Sequence, residues 1–434
     1  MKRIIIAGSG TGGLAVGALL AKDGFDVTLY SDCDPATDTY DWEDSFNIAA
    51  IEAFVGAQAD ASEKGFLRDN RYYGPSECTP VETSFGDTPP AKAHRRCLSR
   101  LLTQYALDCG VKIVRHTKVL SALTDGCRVT GIRTRDASVS ADLVIDACGV
   151  DSPVRKSLPD ACGIEQEYAY GDVFFAYRGI FDKVGNTPPD PHAYELYLMH
   201  RGEPGLSWFI TEEDSTDILL GRFSPFGQEK ADAECENFRK NHPQLGNTLL
   251  HGGTFGKIPV RRPLAKAVCD GYAAIGDSAY MTYPMSGCGI DLSVRAAKLL
   301  HECILADRDG VFTTRTLWRY HYNYIMQNAS LAGVEILKNT LLNLQPEKLD
   351  VLFDKQIITE HDLAGGGAGV SAADLLGRIR RGIFHLPTLL TTAKAALGSG
   401  SVEKLYRQIP EEYSPDAFAA WKKKIDKKYV PLRR

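Results

Sequence analysis

The chain has 434 residues, 44% of them hydrophobic and 24% charged, and its formal net charge is −5. These values are typical of a globular protein of two or three domains and give no electrostatic reason to expect nucleic acid as a partner. No apolar run approaches the length that spans a bilayer. Eleven scattered cysteines lack the spacing of a zinc site, so they predict no metal and favour free thiols in a reducing cytoplasm.

The first predicted unit is a strand, a glycine turn, a helix and a second strand. An apolar strand from Ile4 to Ala7 leads into the turn, and an Ala/Leu-rich helix follows from Leu14 to Lys22. A second buried strand covers Val27 to Tyr30. This β-α-β order is the context in which a glycine-rich turn binds a dinucleotide.

The turn carries the pattern G-x-G-x-x-G. Gly8 permits the tight turn, Gly10 lets the backbone approach a pyrophosphate, and Gly13 allows the helix to pack closely on the strand. The free N–H groups of the helix start then face the phosphates. The predicted phosphate-binding residues are Gly8, Gly10, Thr11, Gly12 and Gly13.

The ribose partner departs from the usual pattern. An acidic residue is expected at the end of the second strand, but that place holds Ser31, which is followed by Asp32. Either Asp32 reaches the ribose, or Ser31 makes a weaker contact.

The next elements alternate between sheet and helix. Short alternating stretches between Tyr72 and Ala93 predict antiparallel strands, and helical spacing from Leu98 predicts a helix that ends at Gly110. From Tyr168 to about Gly256, aromatic and β-branched runs predict a second, mainly antiparallel β-region. Beyond Phe312 the pattern is helical.

A later pair of motifs supplies a second set of hydrogen-bond donors. Gly276-Asp277 ends a buried strand with a carboxylate at the sheet edge where ligands bind. Pro284-x-x-Gly287-x-Gly289 then opens a helix with exposed N–H groups. Two donor sets suit a dinucleotide that carries an anionic ring.

These ordered motifs resemble those of the FAD-dependent oxidoreductases of the para-hydroxybenzoate hydroxylase-like superfamily, over about residues 1–305. The resemblance implies an α/β fold in which a Rossmann-type FAD-binding domain carries an inserted antiparallel β-sheet substrate domain and a helical C-terminal region. The expected FAD-binding domain is discontinuous (1–70, 94–165 and 257–310). The substrate domain would cover 71–93 and 166–256, and the helical domain 311–434.

The resemblance also implies roles for single residues. Asp277 would hold the ribityl chain, the P-x-x-G-x-G helix start would lie by the flavin pyrimidine edge, and Arg95 would contact the cofactor. The expected FAD contacts beyond the glycine turn are Ser31, Asp32, Arg95, Gly276, Asp277, Pro284, Gly287, Cys288, Gly289 and Ile290. Arg155 matches a further family position, where a cofactor role and a solvated helix-start charge are equally open.

Within the superfamily the sequence is most similar to the geranylgeranyl reductase branch. Its G-Y-x-W-x-F-P element is similar to residues 205–211, which keep Gly205 and Trp208. We therefore expect reduction of carbon–carbon double bonds in a hydrophobic, isoprenoid-type substrate. The alternatives are an FAD-dependent monooxygenase of an aromatic or other small molecule and a non-catalytic flavin-binding sensor. NAD(P)H or a ferredoxin-type redox partner would supply electrons.

Candidates for catalysis and substrate binding lie beside these motifs. Asp44, Tyr283 and Cys288 are predicted proton donors, and the helix start is expected to lower the pKa of the Cys288 thiol. The alternative for Asp44 is a place in an acidic surface loop, and that for Tyr283 is a pocket wall. The alternative for Cys288 is a small residue between two glycines. Trp42, Trp208 and Tyr280 are the predicted substrate contacts.

The C-terminal helix is basic and amphipathic. Phe418, Trp421 and Ile425 form an apolar stripe beside Lys422 to Lys424. The sequence predicts a cytoplasmic protein and favours docking of the stripe on the protein body with a solvated charged face. The alternative is peripheral membrane contact, since such a helix can rest on anionic lipid.

Overall fold

The computed structural model describes residues 2–187, 194–363, 372–429 and 431–433. They form an α/β fold with two large sheets, two small sheets and a helical C-terminal region. The predicted fold class is therefore confirmed.

The described strands and helices are numbered here in chain order. The strands are β1 (Arg3–Ala7), β2 (Asp26–Tyr30), β3 (Glu43–Ser45), β4 (Lys64–Phe66), β5 (Asn70–Tyr73), β6 (Val81–Thr83), β7 (Ala91–His94), β8 (Lys112–Val114), β9 (Val119–Asp125), β10 (Arg128–Thr134), β11 (Ser138–Ser140), β12 (Leu143–Asp146), β13 (Val173–Lys183), β14 (Tyr194–Leu198), β15 (Gly205–Thr211), β16 (Ser215–Arg222), β17 (Leu245–Pro259), β18 (Val268–Cys269) and β19 (Tyr272–Ala274). The helices are α1 (Thr11–Lys22), α2 (Ile48–Val55), α3 (Arg95–Asp108), α4 (Pro153–Lys156), α5 (Gln228–Asn241), α6 (Ile290–Ala306), α7 (Thr314–Asn328), α8 (Ser330–Leu342), α9 (Pro346–Asp354), α10 (Glu360–Leu363), α11 (Ala372–Arg381), α12 (Leu386–Tyr406) and α13 (Pro415–Asp426).

The first large sheet has the strand order β18-β19-β12-β1-β2-β8. All neighbours are parallel except β18 and β19, and Ile5 of β1 pairs with Thr28 on one side and Val144 on the other. Residues Ile4 to Ala7 are fully buried, which explains their continuous apolar run. Because parallel strands end at one edge, the segments that follow β1, β2, β12 and β19 meet there.

The second large sheet has the order β17-β13-β16-β15-β14-β5-β6. It is antiparallel except for β14 and β5, which run parallel. Its strands reach past the predicted substrate-domain bounds, since β5 begins at Asn70 and β17 ends at Pro259. The domain division itself stays a prediction.

A small sheet of order β3-β7-β4 joins the two larger ones. In it Glu43 pairs with His94 and Ser45 with Lys92. Since β7 leads directly into α3 at Arg95, this pairing fixes the acidic 41–44 segment beside the start of α3.

Buried ion pairs fasten the helical region to the second sheet. Arg262, just beyond β17, donates to Glu335 of α8 over 3.0 Å. The neighbouring Arg261 pairs with Asp172 and Glu165. Paired charges of this kind hold their elements in one relative position, because separating them leaves a buried charge.

The C-terminal helix α13 does not present its apolar stripe to solvent. Phe418, Trp421 and Ile425 are all buried, and the indole of Trp421 donates to the carbonyl of Leu405 over 2.8 Å. Tertiary packing covers the stripe, as in the docked arrangement that the sequence favours, so the stripe is not available to a membrane. A search of the described residues finds no helix with both the length and the apolar character to cross a membrane.

Candidate functional site

The glycine turn between β1 and α1 packs directly on the residues that follow β12. Gly8 has φ +93°, and a Cβ there would lie 2.4 Å from the carbonyl oxygen of Ala147. A Cβ on Gly13 would lie 2.7 Å from the Ala147 side chain. Helix α1 begins at Thr11 after Gly10, and no side chain caps its first turn. Its N–H groups are therefore available to an anionic ligand.

The two candidate ribose partners differ in availability. Ser31 is buried, and its hydroxyl lies 2.8 Å from that of Ser9. Asp32 is exposed. Burial chiefly raises the pKa of the Cys148 thiol, and the carboxylates of Asp146 and Asp32 raise it further, which locates Asp32 near the glycine turn. The free carboxylate of Asp32 is thus the better acceptor for a ribose hydroxyl, and its contact stays a prediction.

Asp146, the last residue of β12, stabilises this edge of the first sheet through its hydrogen bonds. Its buried carboxylate accepts hydrogen bonds from Ser152 Oγ (2.5 Å), Tyr272 OH (2.8 Å) and the main-chain N–H of Cys148 (3.0 Å). Sequence reasoning overlooked it. The available signal was an aspartate closing the apolar run of β12, directly before the small residues that pack on Gly8.

Arg155 is fully buried and stabilises the same edge of the sheet as Asp146. Its guanidinium donates to the carbonyls of Val150 and Ser278 and, over 2.9 Å, to the hydroxyl of Tyr280. It is therefore not a solvated helix-start charge. It links the segment after β12 to the turn that carries Asp277.

Tyr280 lies away from any open surface. It is fully buried, and the guanidinium carbons of Arg155 and Arg261 each lie 4.6 Å from its ring centroid. These contacts occupy its ring and hydroxyl, so the structure gives no support to the predicted substrate contact.

Asp277 stands on the turn after β19, where Gly276 has φ +66°. Among the described residues, none donates a hydrogen bond to its side chain. Burial raises the pKa of the Asp277 carboxyl, Arg95 offsets part of that rise, and Asp44 adds to it. The carboxylate therefore has unused acceptor capacity beside charges from two other segments.

The start of α6 forms the second uncapped helix terminus. Gly289 is its N-cap and Ile290 its first residue, and no side chain accepts from the first turn. Gly287 has φ +74°, and a Cβ there would lie 2.4 Å from Ile258. Pro284 is buried at the beginning of the loop. The predicted P-x-x-G-x-G segment thus packs closely against Ile258, and it leads into the free N–H groups at the start of α6.

The predicted residues Arg95 and Asp44 are brought together. Arg95, the first residue of α3, donates to Asp44 Oδ2 over 3.0 Å. Tyr40 lies near both, since burial raises the pKa of its hydroxyl, Asp277 raises it further, and Arg95 acts in the opposite direction. Asp44, Arg95, Asp277 and Tyr40 therefore form one polar group at the sheet edge.

Cys288 lies on the same side of the site as Asp44. The residue is exposed, but the surrounding protein desolvates its thiol and raises the thiol pKa; Ser286 offsets part of the rise, and Asp44 and Asp291 add to it. The expected lowering of this pKa is wrong, because desolvation and two nearby carboxylates outweigh the helix start. The thiol therefore keeps its proton at neutral pH.

Tyr283 lies at the beginning of the same loop. Its side chain is 45% exposed, and its main-chain N–H donates to the carbonyl of Cys288 over 2.9 Å. This closes the loop on itself and leaves the phenol free at the surface. Its role as a proton donor stays a prediction.

Trp42 and Trp208 both lie beside a buried ion pair that sequence reasoning overlooked. The guanidinium carbon of Arg178 is 5.8 Å from the Trp42 ring centroid and 5.0 Å from that of Trp208. Arg178 Nη2 donates to Asp217 Oδ2 over 2.5 Å, and the Trp208 indole donates to Asp217 Oδ1 over 3.2 Å. Tyr40 stacks on Trp42 with ring centroids 4.4 Å apart. The pairing of distant strands joins these residues, and no local motif carries that signal.

Three potential metal ligands converge next to this aromatic group, where the sequence predicts no metal. The donor atoms of Asp41, His94 and His251 lie within 4.8 Å of one another. They are already bonded in the structure: His251 Nδ1 lies 2.8 Å from the main-chain oxygen of Asp41, and Arg96 pairs with the Asp41 carboxylate over 3.2 Å. The competing cation Arg96 weakens the case for a metal.

A cavity of about 280 Å³ lies elsewhere, between α5 and the segments that follow β5 and β14. Its lining includes Glu77, His200, Arg201 and His242. None of the predicted site residues lines it, so it is separate from the sheet-edge site.

The two uncapped helix starts, the packed glycine turn and the unpartnered Asp277 carboxylate occupy one edge of the first sheet. The family model described as FAD binding domain matches residues 1–323. The chain belongs to the FAD binding domain family. It is an FAD-dependent oxidoreductase, as the sequence predicted.

Several known members of related groups match this FAD-binding protein. Digeranylgeranylglycerophospholipid reductase of Sulfolobus acidocaldarius is 25% identical over 340 residues, which cover 74% of each chain. The putative FAD-dependent monooxygenase YetM of Bacillus subtilis is 26% identical over 70% of this chain and 84% of its own. A geranylgeranyl bacteriochlorophyll reductase-like protein of Thermoplasma acidophilum superposes with a TM-score of 0.70 at 18% identity, covering 91% of this chain and 99% of its own. That likeness confirms the fold.

The residues present fit FAD. The turn at Gly8 packs on Ala147 without a side chain, and α1 directly after it offers free N–H groups to a pyrophosphate. Asp277 offers an unpartnered carboxylate for the hydroxyls of the ribityl chain. The start of α6 offers donors suited to the electron-rich edge of the flavin ring.

Proposed function

We propose that this protein reduces carbon–carbon double bonds of a hydrophobic, isoprenoid-type substrate. Bound FAD in its reduced form supplies a hydride and is reoxidised, and the double bond becomes a single bond. The second hydrogen must arrive as a proton from the protein or solvent. NAD(P)H or a ferredoxin-type protein would return two electrons to the flavin.

The observation that carries the proposal is the position of the Cys288 thiol in the loop that opens α6, the segment expected to lie beside the flavin ring. The pKa of Cys288 is raised, so a donatable proton is present at neutral pH. The charge of Asp44 acts on the Cys288 thiol, and the ion pair with Arg95 holds Asp44 in one position. A protonated group in the site is what alkene reduction requires of the chain.

The surroundings of Cys288 support an apolar substrate. Tyr72 lies near the thiol, because Cys288 adds to the effect of burial in raising the pKa of the Tyr72 hydroxyl. Tyr283 and Met285 on the same loop are exposed. An exposed aromatic and apolar rim favours burial of a hydrocarbon chain over a small polar molecule.

The relatives support the same proposal and one alternative. The name of the Sulfolobus relative describes reduction of a geranylgeranyl lipid. The name of the Bacillus relative, at a similar identity, describes a monooxygenase. An FAD-dependent monooxygenase is therefore the second candidate.

Anaerobic single-turnover absorbance distinguishes the two reactions. The flavin of the purified protein would be reduced with dithionite, and geranylgeraniol would be added in the absence of oxygen. We expect the oxidised flavin bands to return as saturated product forms, with one double bond reduced per flavin. The reduced flavin without alkene is the control.

Two results would reject the reductase. One is the absence of flavin reoxidation by geranylgeraniol and by shorter polyprenols. The other is product formation only after oxygen is admitted, with an oxygen atom incorporated, which would establish the monooxygenase instead.

A further inference from the structure

The most exposed apolar side chains of the described residues are concentrated in one helical hairpin. We call residues 376–397, at the end of α11 and the first half of α12, the exposed hairpin. Phe384, in the turn between the helices, is 92% exposed, Leu397 is 76% exposed and Leu376 is 67% exposed. The other exposed large apolar residues of the hairpin are Ile379, Ile383, Leu386 and Leu390. A contiguous apolar surface of this kind marks an interaction site.

Helix α12 has one face that packs against the protein and an opposite face that is exposed. Thr388, Ala395 and Val402 are buried at seven-residue spacing. Leu390 and Leu397 each lie two positions after a buried residue, about 200° round the helix at 3.6 residues per turn. They therefore project away from the protein body.

The inner face of α12 is firmly attached to α8. A Cβ on Gly333 would lie 2.5 Å from Ser399 Oγ, so the two helices are in close contact there. The exposed leucines are consequently not core residues left out by a displaced helix. Their exposure is a property of a docked helix.

The charge of the hairpin is opposite to that of the whole chain. Residues 376–397 contain Arg378, Arg380, Arg381 and Lys394 and no Asp or Glu, whereas the chain has a net charge of −5. Arg380 and Lys394 are exposed, and Arg381 donates to main-chain carbonyls, which leave its charge in place. Arg378 is the one paired with an acid, Asp362.

We propose that the exposed hairpin docks on the surface of an anionic lipid bilayer. Apolar side chains flanked by Arg and Lys are the pattern of helices that lie in the interface between headgroups and acyl chains. Phe384, Leu386, Leu390 and Leu397 enter the acyl boundary, while Arg380 and Lys394 meet lipid phosphates. Face-to-face pairing of two copies is disfavoured, because it would bring the same cations together.

Vesicle flotation of the FAD-loaded protein tests this docking. We expect binding to vesicles that contain phosphatidylserine and weaker, salt-insensitive binding to pure phosphatidylcholine. The variant with Phe384→Ser and Leu397→Ser removes two large apolar groups and should lower the partition coefficient about tenfold or more. Arg380→Glu should weaken binding to the phosphatidylserine vesicles selectively.

Phe66→Ser is the matched control, because Phe66 is also 65% exposed but lies on β4, away from the hairpin. It should bind vesicles as the wild type does. A Phe384→Trp variant should show a blue shift of its emission, relative to wild type, on addition of phosphatidylserine vesicles. All variants would be compared for flavin content and melting temperature.

Three outcomes would overturn the proposal. The wild type could fail to bind phosphatidylserine vesicles, or Phe66→Ser could lose as much binding as the hairpin variant. A wild-type dimer that the hairpin variant converts to monomer, without vesicle binding by either, would assign the surface to a second copy. The test does not depend on which reaction the flavin carries out.

Discussion

Arg178 and Asp217 form a buried ion pair beside the indole rings of Trp42 and Trp208. Arg178 lies on β13 and Asp217 on β16, and a further donor of Arg178 reaches the carbonyl of Glu43 over 2.5 Å. The pair therefore connects the second sheet to the acidic 41–44 segment at the flavin side. It contacts two predicted substrate-binding residues, Trp42 and Trp208.

Removing one partner of this pair should be strongly destabilising. In Asp217→Ala the guanidinium of Arg178 remains buried without its carboxylate, and we expect the free energy of unfolding to fall by about 3–5 kcal/mol. Urea denaturation of the FAD-loaded protein measures the change.

The double variant Arg178→Met with Asp217→Leu is the control, because it removes both charges. It should recover most of the lost stability. If Asp217→Ala were as stable as wild type, the pair would not be holding the two segments together.

Gly8→Ala should disrupt the phosphate-binding turn. The new Cβ would meet the Ala147 carbonyl oxygen in addition to the strain of a positive φ. Gly24→Ala carries a similar strain, with φ +85°, but has open space around its Cβ. We expect Gly8→Ala to be about 1–3 kcal/mol less stable than Gly24→Ala and to purify with little FAD. Equal flavin content in the two variants would contradict the close packing.

Cys288→Ala should slow proton delivery without affecting flavin reduction. Under the proposed reaction, anaerobic reoxidation by the alkene should be slower on the order of 100-fold, while reduction by dithionite is unchanged. Since burial raises the pKa of the Cys288 thiol above its ordinary value, wild-type activity should persist to alkaline pH before the thiol loses its proton. Cys127→Ala, at another exposed cysteine, is the control. An unchanged rate and pH profile in Cys288→Ala would assign the proton to another group.

Acid should destabilise the fold through His321. Burial lowers the pKa of His321 from 6.5 to about 4, and its Nε2 donates to the carbonyl of Ala265. Between those pH values the unfolded chain binds the proton and the folded chain does not, so stability falls as pH falls from 6.5 towards 4. The full contribution is about 3 kcal/mol.

His321→Gln can keep the hydrogen bond and removes the titration. Its free energy of unfolding, measured by urea denaturation, should vary less with pH over that range than that of the wild type. His116→Gln, at an exposed position, controls for loss of a histidine. A pH slope in His321→Gln equal to that of the wild type would exclude this residue as the cause.

The sequence by itself determined the cofactor and the class of fold. The glycine turn, the Gly276-Asp277 strand end and the helix start at Gly289 are each encoded over a few adjacent residues. Glycine at a positive φ or under a packed strand has few substitutes, so such segments can be recognised locally. Buried strands can likewise be recognised locally, because each coincides with a short continuous run of apolar residues.

The tertiary structure alone decided which side chains meet and which faces are covered. Arg178 and Asp217 are 39 residues apart and meet only because β13 pairs with β16. The amphipathic pattern of α13 could not reveal that other helices bury Phe418 and Trp421, and the sequence of α12 could not reveal that its leucines stay exposed. Helical periodicity fixes which residues share a face, but only packing determines whether that face meets protein or solvent.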